Sequence, residues 1–256
     1  MIRLLALTAA LALPMPSLAS DTPPTPAREL RLALPGAGPL FVDDYRVRDS
    51  RGVVVLFHQA GGSARGEYGF LVPRLLDAGF SVIAADLHGG GDRFGQPNRT
   101  EQARPAAEAF TYCDARPELD AVLRYARSVA GSQKLIAVGS SYSAALVVNA
   151  TAQTEPLMDA AAAFSPASGG PMAACRPDDH AEALRRPVLL FRPAGELEVP
   201  SVAAQVERFD KAGVETFVAS GVHGASLMNA ERSPEGAEAA WGRFRAFLDA
   251  VVPPRD

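Results

Sequence analysis

Short, continuous apolar runs recur along the chain at Gly52–Phe57 (Gly-Val-Val-Val-Leu-Phe), Ser81–Ala85, Lys134–Val138, Ala160–Phe164 and Val188–Phe191. None alternates apolar with polar residues, so each suits a strand covered on both faces of a parallel sheet. Glu29–Leu34 and Leu40–Arg48 read as an opening hairpin, with Pro35-Gly36-Ala37-Gly38 as its turn. Stretches with helical spacing lie between the runs. Tyr68–Ala78 is one. Pro117–Val129 is another, with a proline suited to a first helical turn and Leu119, Val122 and Leu123 on one face. Ala144–Ala152, Val202–Ala212 and Gly236–Val251 complete the set. Buried strands alternating with helices predict a three-layer α/β fold.

One junction carries chemistry. In Leu135-Ile136-Ala137-Val138-Gly139-Ser140-Ser141-Tyr142-Ser143-Ala144-Ala145-Leu146 an apolar strand enters a cluster of small residues and continues as a helix-compatible stretch. A serine on such a strained strand-to-helix turn exposes its hydroxyl as a nucleophile. The turn brings neighbouring backbones close, so the positions two before and two after the serine must be small. Gly139 and Ser143 occupy those positions around Ser141. Ser140 and Ser143 are rival nucleophiles, but only Ser141 has a glycine two residues before it at the strand end.

With these residues the chain resembles the α/β-hydrolase superfamily, in its dienelactone-hydrolase-like and small-esterase branches. The departure from the Gly-x-Ser-x-Gly pattern is Ser143 in the last place. The resemblance implies a mostly parallel central sheet with helices on both faces. Phe57-His58-Gln59-Ala60-Gly61-Gly62 resembles the family's His-Gly oxyanion loop. The implied donors are the backbone N–H of Tyr142 and one from Gln59 or Ala60, with His58 structural. The acid of the family follows a late strand, three residues after a glycine. Glu198 takes that place after Pro187–Phe191, with Glu196 as its near rival. His223, in a glycine-flanked loop after the strand-like Thr216–Ala219, is the implied base. The order Ser141, Glu198, His223 is that of the superfamily. His88, near Asp86 and Asp92, reads as part of a structural loop, because no set of three or four metal ligands forms around it. His180 lies in a polar segment. The implied reaction is hydrolysis of a carboxylic ester through an acyl-enzyme on Ser141, needing no metal or organic cofactor. A peptidase or thioesterase of the same fold is the alternative inside enzymology, and a non-catalytic binding protein the alternative outside it.

Composition adds context. The chain has 256 residues, 48% hydrophobic and 21% charged, with a formal net charge of −4. That describes one globular domain. No long basic run is present, so nucleic acid is not an expected partner. The expected partner is a small-molecule ester or lactone. Arg3, the apolar stretch Leu4–Leu13 and the small residues Ser17-Leu18-Ala19 predict a signal peptide cleaved after Ala19, too short to span a bilayer and with no cysteine behind it for a lipid anchor. Secretion or a periplasmic location follows. Residues 20–37 are expected to form a proline-rich leader and first strand, and 38–256 a single domain. In an oxidising compartment Cys113 and Cys175 can pair as a disulfide or stay as two buried thiols. The segment between Ala160–Phe164 and Val188–Phe191 is too short for a cap domain, which predicts an open site for small or accessible esters.

Overall fold

The apolar runs become the centre of one eight-stranded sheet. The computed structural model describes residues 26–34, 37–104 and 110–254. The expected signal peptide, most of the leader and the tip of the opening hairpin lie outside them. The strands are β1 (Arg28–Leu34), β2 (Ala37–Tyr45), β3 (Gly52–Phe57), β4 (Ser81–Ala85), β5 (Lys134–Ser140), β6 (Ala160–Phe164), β7 (Val188–Pro193) and β8 (Glu215–Ala219). They lie side by side in the order β1-β2-β4-β3-β5-β6-β7-β8. β2 runs antiparallel to both β1 and β4. From β4 to β8 every pairing is parallel. β1, grouped with the leader on sequence grounds, is thus an edge strand of the same sheet.

Both faces are covered, which is why the strands carry no polar alternation. On one face lie α1 (Ala64–Tyr68), α2 (Leu71–Asp77) and α7 (Ala237–Val251); on the other lie α4 (Arg116–Ala130), α5 (Tyr142–Thr151) and α6 (Pro200–Lys211), while the one-turn α3 (Arg99–Gln102) lies in the connection from β4 to α4. The alternation of β3 shows the arrangement directly. Val54 and Leu56 pack with the first set, while Val53, Val55 and Phe57 pack with α4 and α5. The helix expected over Tyr68–Ala78 is divided into α1 and α2. Pro73 has no N–H to give a helix interior, but it fits a first turn, so the chain restarts its helix at Leu71.

Strand order reverses between β3 and β5. The loops that follow them diverge and open a crevice at the carboxyl end of the sheet. The segment from β6 to β7 forms only two short 3-10 turns, Gly170–Met172 and Pro177–Ala183. It is joined to the 3-10 turn Tyr112–Ala115 by a disulfide between Cys113 and Cys175, whose Cα atoms are 5.8 Å apart.

The bond closes a loop with a sequence separation of 62. In the chain-entropy picture it stabilises the fold by about 4 kcal/mol, so Cys113→Ser/Cys175→Ser should lower Tm by about 10 °C. Thiol titration of unreduced protein in denaturant should find no free cysteine. Two free thiols, or an unchanged Tm, would contradict the bridge.

Candidate active site

The strand-to-helix junction at Ser141 is held by sterics. A Cβ on Gly139 would lie 2.5 Å from the Ala144 Cα and 2.6 Å from its nitrogen, so only glycine lets α5 start this close to the end of β5. Ser141 absorbs the turn with φ 60° and ψ −116°, a conformation that costs roughly 1–3 kcal/mol and persists only where neighbours enforce it. Its N–H donates to the Phe164 carbonyl (2.9 Å), and its own carbonyl accepts from Ala167 (3.1 Å). The two rival serines are committed elsewhere. Ser143 Oγ is buried, donates to the Phe57 carbonyl (2.7 Å) and accepts from the Ser140 N–H (2.9 Å). This explains a serine where the pattern has glycine: its hydroxyl ties α5 to β3. Ser140 Oγ is buried against Glu67 (2.6 Å). Ser141 alone of the three is partly exposed.

The loop after β3 corrects one expectation. The Gln59 N–H donates to the Glu67 carboxylate at 2.6 Å, so it is not available to a substrate. The Gln59 carbonyl faces the His58 ring (Nδ1, 2.8 Å) and accepts from Gly62 (3.1 Å). Because the peptide is planar and trans, the Ala60 N–H must point the opposite way. His58 Nε2 accepts from the Leu87 N–H at 2.8 Å, which fixes the Nδ1–H tautomer and makes the ring a brace for the loop. That leaves Ala60, with Tyr142 at the first turn of α5, where N–H groups have no intrahelical partner. Glu67, which no sequence signal marked, is fully buried on α1 and accepts from Gln59 N, Gln59 Nε2 (2.9 Å) and Ser140 Oγ. Ser140 Oγ in turn accepts from Ala225 N (2.9 Å). One carboxylate therefore links the loops after β3, β5 and β8.

His223 and Glu196 meet across two further loops. His223 follows β8, and Gly224 beside it has φ +74°, with a Cβ there falling 2.4 Å from Ser140 Oγ. Gly224 N donates to Ser165 Oγ (3.0 Å). His223 Nδ1 is 2.5 Å from Glu196 Oε1. Glu198, the expected acid, points away and is exposed. The reason is the 3-10 turn Ala194–Glu198. At three residues per turn, two residues apart means about 240° of rotation, so both side chains cannot face the histidine. Burial pushes the Glu196 carboxyl up, but hydrogen bonds from His223 and Arg192, and their charges, hold it below its ordinary value. The surrounding polar residues are structural. Asp86 accepts from Ala64 N (2.8 Å) and Arg99 Nε (2.7 Å), and His88 is buried against Glu118. Among the described residues no three His, Cys, Asp or Glu side chains converge as metal ligands.

The profile of the dienelactone hydrolase family matches residues 45–251, which contain Ser141, Glu196 and His223. The chain belongs to the dienelactone hydrolase family. Comparison with curated proteins returned no match. Among solved structures, this family member is similar in fold to a thermostable carboxyl esterase from Bacillus coagulans (12% identity, TM-score 0.71, covering 89% of this chain and 99% of that one). It is similar also to an esterase from Pyrococcus furiosus (14% identity, TM-score 0.68, covering 88% and 93%). A third similar structure is the acylaminoacyl peptidase of Pyrococcus horikoshii (14% identity, TM-score 0.65, covering 92% of this chain and 43% of that one).

The Glu196 pairing predicts an asymmetry between the two acids. Glu196→Gln should lower kcat for ester hydrolysis by about 10³–10⁴-fold through the wrong imidazole tautomer, whereas Glu198→Gln, on the exposed side, should stay within about twofold. A depressed carboxyl stabilises the folded state above its unfolded value of about 4.3, and that contribution is lost as pH falls through the folded value. Thermal melts between pH 7 and pH 3 should therefore fall less steeply in Glu196→Gln than in wild type. Equal activities for the two variants would reverse the assignment.

Proposed function

We propose that this member of the dienelactone hydrolase family is an exported serine hydrolase that cleaves carboxylic esters or lactones through a Ser141–His223–Glu196 triad. The observation that carries this reading is the strained Ser141 at the head of α5, at the same end of the sheet as the His223–Glu196 pair. Glu196 accepts the Nδ1–H of His223, which leaves Nε2 as the lone pair for a proton. In attack on a carbonyl, His223 takes the Ser141 proton and then delivers it to the leaving alkoxide. Glu196 fixes the tautomer and stabilises the imidazolium. The N–H groups of Tyr142 and Ala60 receive the oxyanion, a contribution for which loss of one donor costs about 10²–10³ in rate. Water, activated by the same imidazole, then releases the acid from Ser141.

The surroundings favour small or accessible substrates. The His223 side chain is 46% exposed. A cleft of about 480 Å³ opens beside Tyr112, which stacks on Tyr142 at 4.8 Å, and its walls include Phe110, Pro171, Ala173 and Ala174. All of these are uncharged, so the cleft suits an apolar acyl or alcohol group. Export is supported by the N-terminal sequence and by the disulfide; no helix among the described residues is long and apolar enough to cross a membrane. The similarity to an acylaminoacyl peptidase keeps amide hydrolysis as the second reading.

Purified protein should hydrolyse short-chain p-nitrophenyl esters and be labelled by a fluorophosphonate at Ser141. Ser141→Ala should abolish both, while Ser143→Ala keeps labelling. Activity surviving in Ser141→Ala would remove the nucleophile assignment. Faster cleavage of peptide amides than of esters would favour the peptidase reading, and a clear preference for long acyl chains would sink the open-site argument.

A further inference from the structure

Behind the acid lies a cation that ester hydrolysis by a triad does not itself require. Arg192 is the penultimate residue of β7 and is 2% exposed. Successive side chains on a strand face opposite ways. Phe191 packs toward α7, so Arg192 points with Leu190 toward α6. Its NH1 donates to Glu196 Oε2 at 2.7 Å. Its NH2 donates to the Pro166 carbonyl and to Gln205 Oε1 of α6. Nε has no acceptor among the described residues. Burying a guanidinium with an unfilled donor is expensive, and an apolar side chain of similar volume is usually no worse for stability.

Its connections explain its place. Pro166 lies in the loop after β6, between Ser165, whose Oγ receives the Gly224 N–H next to His223, and Ala167, whose N–H holds the Ser141 carbonyl. We propose that Arg192 is a positioning residue of the hydrolytic site, one buried guanidinium that fixes the acid Glu196 and, through Pro166, the loop that seats Ser141 and the His223 segment. This rests on the triad reading above. Charge follows geometry. Among the described residues Glu196 is the one carboxylate bonded to Arg192. Glu198 is exposed on the same turn, and Asp178 is engaged by Arg208 and by the Gln205 amide. Glu196 therefore sits between a permanent cation and a histidine that becomes a cation during turnover. Arg192 helps keep Glu196 ionised and offsets part of its pull on an imidazolium that forms at His223.

Three proteins test this: wild type, Arg192→Met and Arg192→Lys. For each, kcat and KM for a p-nitrophenyl ester, the acid limb of the kcat/KM pH profile, and the rate of fluorophosphonate labelling are measured. In Arg192→Met kcat should fall about 10–100-fold, as displaced catalytic groups do, with KM within about twofold. Its acid limb should move upward, because Glu196 then acts on the imidazolium with no buried cation opposing it. Arg192→Lys keeps the charge but cannot span Glu196 and Pro166 together, so its acid limb should stay at the wild-type pH while kcat remains reduced. A role in packing alone would lower Tm without moving the acid limb. Wild-type kcat and acid limb in folded Arg192→Met overturn the proposal. Should Arg192→Met not fold, Arg192→Lys decides alone, and wild-type kcat in it overturns the proposal. Failure of wild type to label at Ser141 would instead overturn the triad reading.

Discussion

A Cβ at Gly139 would meet the backbone of Ala144, and this close approach is the constraint on which the site depends. It brings the first turn of α5 onto the end of β5 and forces Ser141 to φ 60°. A strained residue relaxes unless its surroundings are stiffer than it is. Here β6 and its loop grip both the N–H and the carbonyl of Ser141, and Ser143 pins the new helix to β3. The serine in place of a second glycine thus adds a tie that a glycine would lack.

Two buried polar side chains then connect the loops, by different physics. Glu67 is held among the described residues by neutral donors, the Gln59 N–H, the Gln59 side-chain amide and the Ser140 hydroxyl, which replace the water lost on burial. Arg192 has a counter-ion, but one that it shares with His223. The first fixes the loops after β3, β5 and β8 relative to one another; the second links the acid to the loop after β6. Neither touches the space above Ser141. Both set the angles at which the groups that do can meet.

Much of this was legible in the chain, for local reasons. Strands buried on both faces leave no polar positions, so Gly52–Phe57, Ser81–Ala85 and Ala160–Phe164 stand out as uninterrupted runs that match their strands end to end. Gly139 and Ser141 were legible because a steric demand between near neighbours writes itself into adjacent residues. What was hidden depends on rotation or on distance. Counting three residues from Gly195 selects Glu198, whereas a 3-10 turn presents Glu196. Gln59 reads as an oxyanion donor until Glu67, eight residues on and in a helix, takes its N–H. Arg192 looks like the polar end of an apolar run; its partners Pro166 and Gln205 lie 26 and 13 residues away.

The placement of water completes the logic of the site. In the proposed reaction deacylation needs water at His223, whose side chain is 46% exposed, while Glu196 beneath it is 17% exposed and Arg192 beneath that is 2% exposed. Polarity and dryness therefore rise together along one line of hydrogen bonds. In the proposed triad, an acid held from below by a buried cation does not need a lid to exclude solvent from it. This agrees with the short β6–β7 segment, which the disulfide draws toward Tyr112 on the flank of Tyr142. In the proposed reading, orientation of the base comes from under the sheet end, and substrate selection is left to the uncharged cleft beside Tyr112. The two tasks rest on different residues, so one can change without disturbing the other.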